Sequence, residues 1–501
     1  MSRTLPGAAA AAAEDNNEII HIDPMLRYDE SDPRIAKARD RIDARFCGGP
    51  CRFLLPVFIM EQESKAQMHF RQLAFMAGMI NRTIVLPNVG GSRLGACQEH
   101  NFSLYYSEQW AKDNSQYFRY ITMSDFKAWL KERNALGVRA KSQTLHIHLG
   151  RSQHKNLGET DNCLAPLMNM NTLPERSLYL QDSGNAQRRR PYQKIIREFL
   201  TGKTTNTALV DDDVQDDNGI SQKHRQRQYT EDDFSFVTQN LEVLSVYYDR
   251  RYPFIQHPAA DVPIPYSETI TQVADDIARQ MAPYWAIHWR TERVEPAENL
   301  VGCAESLVSL LKSHIKTFAA SSPKTPAIFL LTDYPHVFSQ EAIEEAIENN
   351  TTESLNPASA SFSSYYFTRY HHLAIQYLYQ NLPVHVTNLI DDQGEDEDDD
   401  DMHLPSNWTV IPISASQAGH DSGILGILDK LLAIRSDLFI AGRPGVCARK
   451  SSFTTRIINE RLNVLGDNNV TLEDDWEGRG PGAIMNIIEY FDLPQDESDE
   501  E

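Results

Sequence analysis

The chain predicts an α/β protein built as two halves that part near residue 265. Two observations carry that reading: short apolar runs alternate with amphipathic helical stretches, and a polar, charged stretch interrupts the pattern at 203–232. "RFLLPVFI" (52–59) reads as a buried strand, "KAQMHFRQLAFMAGMI" (65–80) has helical spacing, and "RTIVLP" (82–87) is a second strand stopped by proline. Together they form a βαβ unit. "QTLHIHLG" (143–150) is another strand. After the polar stretch, "ETITQVADDIARQMA" (268–282) is an amphipathic helix that feeds the strand "YWAIHW" (284–289). A helix is expected from about Glu298, then the strand "PAIFLLTD" (326–333), the helix "SQEAIEEAI" (339–347) and the strand "LPVHVTNL" (382–389). "SGILGILDKLLAIRSDLFIAG" (422–442) reads as helix then strand, and "SSFTTRIINERL" (451–462) opens a last helix.

These elements set the organisation. Residues 1–44 are expected as a disordered or extended N-terminal segment, 45–265 as an N-terminal α/β domain with its insertion, and 266–493 as a C-terminal one. An acidic loop lies at 391–403 and an acidic tail at 494–501. Much of the net charge of −22 is local: nine carboxylates fall in 391–401 and five in "DESDEE". Such runs read as solvated segments and give a cation no fixed geometry. Overall acidity argues against nucleic-acid binding. No stretch reaches the roughly 18 apolar residues of a membrane span. The Ala-rich start is too short and too weakly hydrophobic for a clear signal peptide. Six cysteines, without paired CxxC knuckles, argue against a structural zinc site and permit disulfides without requiring them.

In open α/β sheets ligands bind at the carboxyl ends of the strands. His288 and Arg290 stand at such an end and alternate with Trp289, so both point to one face. Arginine there suits an anion, because its planar fork binds phosphate oxygens in pairs; an interdomain salt bridge is the alternative. Ser451, Ser452 and Thr454 precede a helix around Phe453. They can cap it, or its dipole end can receive a phosphate. An arginine and such a helix start could together cradle a diphosphate.

Three blocks then resemble the GDP-fucose protein O-fucosyltransferases and their plant and fungal relatives: "MHFRQLAFMAGMINRTIVLP" (68–87), "IHWRTE" (287–292), and "LDKLLAIRSDLFIAG" with "KSSFTTRIINER". The resemblance implies a GT-B-like fold, two Rossmann-like domains facing across a cleft. It implies an inverting, metal-independent transfer of fucose from GDP-fucose to a hydroxyl of a protein or glycan, without a cofactor. It also implies work in the secretory pathway. By position, Arg290 resembles the arginine that holds the β-phosphate, and His288, with Trp289 beside it, its companion in the donor pocket. Asp429 resembles the nucleotide-contacting aspartate, and Ser452, Phe453 and Thr454 the diphosphate motif.

Two departures touch the pocket. "IMEQESKAQ" (59–67) replaces a glycine-rich loop, with Ser64 where an asparagine is usual, and "RPGVCARK" lengthens the segment before "SSFT". For the base, which must take the acceptor's proton, Glu61 is nearest the glutamate that one branch of the family uses, and Glu63 follows. Either can instead be a solvated loop carboxylate. Glu292 and Glu295 after Arg290 are alternative bases that read more readily as salt-bridge or surface residues, and Thr332 and Asp333 read as donor contacts or a helix cap. The same fold on another nucleotide sugar, or a catalytically silent binder of nucleotide or glycan, are the alternative functions.

Overall fold

A computed structural model describes residues 32–149, 162–169, 172–180, 189–203, 240–249, 252–292, 294–320, 322–336, 339–349, 353–355, 365–390, 403–416, 418–465 and 487–494. The acidic run 391–401, the tail and nearly all of the 203–232 stretch lie outside the described residues.

The chain enters on α1 (Pro33–Cys47), where an extended segment was expected. Its ends explain it: the Asp32 carboxylate accepts from the Arg34 amide at 2.8 Å, proline opens the first turn, and Gly48 closes it at φ 68 with its amide on the Ala44 carbonyl. A Cys47–Cys51 disulfide follows directly.

The first sheet is built on β1 (Phe53–Ile59), followed by α2 (Glu63–Met79), β2 (Thr83–Val85), the hairpin β3 (Asn88–Gly90) and β4 (Arg93–Gly95), and β5 (Arg119–Ile121). β6 (Ala140–Leu149), β7 (Met168–Asn169), β8 (Arg176–Leu180) and β9 (Val243–Tyr248) complete it, and α3 (Gln109–Asp113), α4 (Met123–Ala135), α5 (Arg189–Leu200) and α6 (Pro258–Asp261) are the further helices described before the second unit. β1 lies parallel to both β2 and β9, with Phe53 opposite Thr83 and Val243, and β6 lies parallel to β9 and β8. Phe53, Leu55 and Val57 face one core and Leu54 the other. A bulge between Pro56 and Phe58 then turns Ile59 onto the Leu54 face. That change of face comes just before the loop carrying Glu61.

The second unit holds α7 (Glu268–Met281), β10 (Tyr284–Trp289), α8 (Asn299–Ala319), β11 (Ala327–Thr332), α9 (Gln340–Asn349), the separate antiparallel pair β12 (Glu353–Leu355) and β13 (Tyr365–Phe367), α10 (Arg369–Asn381), β14 (His385–Ile390) and β15 (Thr409–Ser414). α11 (Gly423–Arg435), β16 (Leu438–Gly442), α12 (Ser452–Leu465) and β17 (Ile487–Phe491) end it. Its sheet is parallel throughout, in the order β15-β14-β11-β10-β16-β17. Trp285, Ile287 and Trp289 pack with α8 and α10 on one face, while Tyr284 and Ala286 pack with α7 and α11 on the other. The chain therefore winds outward from β10 through β15, then returns on the opposite face to place β16 on the other side of β10. The fold is α/β, with two Rossmann-like units, each on a largely parallel sheet. The α7–α11 face shares one continuous core with α2 of the first unit, so the units meet there.

Candidate active site

The reversal of strand order between β10 and β16 is a topological switch point, the crevice where doubly wound sheets bind ligands. His288 closes β10 on the side of α12. Its Nδ1 lies 2.9 Å from the Thr454 hydroxyl, and its ring stacks on Phe453 with centroids 5.0 Å apart. Burial, with Arg290 nearby, drives its pKa down to about 3. The imidazole is thus neutral at physiological pH, and serves as a hydrogen-bonding wall rather than a charge. Trp289 departs from the expected donor contact. It points to the opposite face, fully buried, with Nε1 donating to the Cys447 carbonyl at 2.8 Å and its ring edge-on to Phe491. Strand alternation alone puts it in the core.

Arg290 lies just beyond the strand, where its Nε and Nη2 both donate to Glu292, Nε at 3.1 Å. The turn that carries them is tied to β11 by Asp333. One carboxylate oxygen accepts from the Thr291 amide (2.8 Å) and hydroxyl (2.7 Å), and the other from the Glu292 amide (2.8 Å). Burial raises the Asp333 pKa against those hydrogen bonds. Asp333 is therefore a brace for the Arg290 turn.

Across the crevice, helix α12 is capped by Ser451, not by Ser452 or Thr454. The Ser451 hydroxyl accepts from the Phe453 and Thr454 amides at 3.1 and 3.4 Å. Ser452 is exposed in the first turn, and Thr454 spends its hydroxyl on His288. Ser451→Ala is therefore expected to cost about 0.5–2 kcal/mol of stability. Ser452→Ala should leave the melting temperature unchanged, and any loss of GDP affinity there reports a ligand contact. Melting temperature and GDP titration on the same proteins separate the two effects.

The two units are clamped beside this crevice. Lys430 on α11 makes an ion pair with Glu63 at the start of α2, both side chains buried. Glu63 also accepts from Gln67 Nε2 (2.9 Å), Tyr106 (2.9 Å), Tyr266 (3.1 Å) and the Ser64 hydroxyl (3.1 Å). Burial alone would raise the Glu63 pKa, but the Lys430 charge and these hydrogen bonds hold it below the ordinary carboxylate range. A carboxylate so saturated and so acidic is a poor general base, so the reading of Glu63 as catalytic gives way to one as an inter-unit clamp. Ser64, expected as a donor contact, is held in the same network. Glu61 keeps its place in the loop after β1, half-buried, with Lys65 Nζ at 3.2 Å. The Lys430 ammonium also sits 5.2 Å from the Phe453 ring centre, which joins the clamp to the His288 stack. A second clamp joins Asp421, ahead of α11, to the Gly91 amide (2.9 Å) and the Tyr105 hydroxyl (2.5 Å). Neither Lys430 nor Asp421 was foreseen; a lysine inside the otherwise apolar run "LDKLLAI" was the available signal.

Asp429 faces β14, where it accepts from the Thr387 hydroxyl at 2.6 Å. Loss of water pushes its pKa up to about 7. With the folded value above the unfolded one, its contribution is fully present below about pH 4 and is lost as pH rises through 7. Asp429→Asn should therefore stabilise the free protein at pH 8 more than at pH 5, as thermal denaturation at both pH values would show. Among the described residues no helix is long and apolar enough to cross a membrane, and no group of three or more His, Cys, Asp or Glu is placed to hold a metal ion.

No family model and no curated protein matches the chain. Among solved structures it is similar to apo POFUT1, at 12% identity and a TM-score of 0.39, over 83% of this chain and 95% of that one. It is also similar to POFUT1 in complex with GDP-fucose, at 12% identity and a TM-score of 0.40, over 83% and 96%. Identity this low carries no residue roles across, so the site stands on its own geometry.

Proposed function

We propose that this chain is an inverting, metal-independent glycosyltransferase that moves fucose from GDP-fucose to a hydroxyl of a protein or glycan. The observation that carries the reading is the meeting, at the switch point, of Arg290 with the His288–Phe453–Thr454 cluster at the start of α12. Arg290 and the first turn of α12 bind the diphosphate, Thr454 and neutral His288 shape its pocket, and Asp429 contacts the nucleotide. The acceptor oxygen attacks the anomeric carbon as that carbon's bond to the β-phosphate oxygen breaks. The electron pair leaves with GDP, where Arg290 balances the growing charge. Glu61 receives the acceptor proton. The three disulfides, Cys47–Cys51, Cys97–Cys163 and Cys303–Cys447, suit an oxidising compartment and so support a place in the secretory pathway.

A thermal-shift panel of GDP, UDP and ADP sugars tests the donor, because a ligand of the folded state stabilises by mass action. GDP-fucose should give the largest shift; a larger shift with a UDP or ADP sugar would assign the fold to another donor. Turnover should survive EDTA and deletion of 391–401, whereas a strict Mn²⁺ or Mg²⁺ requirement would revive that run as a ligand source. The engagement of Glu63 by Lys430 favours a second reading, a catalytically silent nucleotide or glycan binder. Glu61→Gln separates them: an enzyme loses turnover and keeps GDP affinity, while a binder shows no turnover to lose.

A further inference from the structure

We propose that Arg449 is a second cation of the diphosphate site, and that Glu292 holds the place of the anion between it and Arg290. This rests on the donor-site reading above and adds a residue to it. Glu292 receives Arg290 on one carboxylate oxygen and Arg449 Nη1, at 2.7 Å, on the other. Two guanidinium groups thus share one carboxylate at the carboxyl end of β10, while the Asp333 carboxylate is held behind them on the turn's own amides and hydroxyl. A diphosphate offers more charge and more acceptor oxygens, and it suits two forks at once.

Arg449 belongs to the long segment between β16 and α12, and that segment is fixed before any ligand arrives. The Arg449 amide donates to the Arg290 carbonyl at 3.2 Å, and Gly445 N donates to the Ala448 carbonyl at 2.8 Å. Two residues before Arg449, Cys447 is bonded to Cys303 on α8, and its carbonyl takes the Trp289 indole. The backbone of Glu292 is held separately, by Asp333. Its carboxylate can therefore swing aside without moving the turn. The Arg290 and Arg449 side chains are 24% and 40% exposed, so an anion reaches both from solvent.

The test titrates GDP, GMP and inorganic pyrophosphate into wild-type protein and into Arg449→Ala, Arg449→Gln, Glu292→Gln and Arg290→Ala, with a melting temperature for each. Arg449→Ala should raise the dissociation constants of GDP and pyrophosphate about tenfold or more, and that of GMP less. Arg449→Gln keeps most of the side chain's bulk and should do the same if the alanine variant folds poorly. Glu292→Gln should tighten GDP binding, because the competing charge is gone. Weaker GDP binding with a lower melting temperature in Glu292→Gln would overturn the proposal and make Glu292 a structural partner of both arginines. Unchanged GDP affinity in both Arg449 variants, with a large loss in Arg290→Ala, would sink this inference alone. Full affinity in Arg290→Ala as well would sink the donor-site reading with it.

Discussion

On the proposed function, replacing Arg290 by alanine should lower kcat/KM for fucose transfer from GDP-fucose by roughly 30- to 1000-fold, about 2–4 kcal/mol of transition-state stabilisation. The guanidinium is aimed from the end of β10 by a turn that Asp333 pins through three hydrogen bonds. On the proposed function, that bracing spares the guanidinium any reorganisation as charge develops on the leaving phosphate. Arg290→Lys should rescue poorly, because an ammonium keeps the charge and loses the fork. Steady-state kinetics on the three proteins check it, and wild-type kcat/KM in Arg290→Ala would remove Arg290 from the mechanism.

The largest stability effect should come from the clamp between the two units. Lys430→Met leaves the Glu63 carboxylate buried without its countercharge, and should cost about 3–5 kcal/mol. The double variant Glu63→Gln/Lys430→Met should recover much of that loss, because it removes the stranded charge. The acid limb of stability follows from the depressed Glu63 pKa. Its contribution is fully present above the ordinary carboxylate value of 4.5 and is lost as pH falls through the lower folded value. Glu63→Gln should flatten that limb. Denaturant unfolding at pH 7 and through the acid range measures both, and additive losses in the double variant would show that the pair is not coupled.

The alternating fold was legible wherever an apolar run is bounded by charge or proline, as at β1, β10 and β16, because burial on both faces demands such runs. β9 was missed although its run, Val243–Tyr248, is apolar and bounded by Glu242 and Asp249; it follows the long polar stretch, and its pairing with β1 and β6 joins residues far apart in sequence. Helix α1 was misread although its signals were present, an Asp-Pro start and a glycine stop, because its face toward the protein buries little. His288 and Arg290 were legible from strand alternation, which also places Trp289 in the core. Glu63 was not, because its fate is decided by Lys430, 367 residues away in sequence. The lengthened segment before α12 was visible as an insertion. What it does, setting Arg449 against Glu292, depends on a disulfide to α8 that spacing alone does not specify.

On the proposed function, the switch point between β10 and β16 is a nucleotide diphosphate site. A crystal structure of the full chain with GDP tests it most directly. The diphosphate should lie between the Arg290 guanidinium and the first turn of α12, with Thr454 within hydrogen-bond reach and the Glu292 carboxylate displaced. GDP bound away from the carboxyl ends of β10 and β16, with the Arg290–Glu292 pair intact, would contradict it.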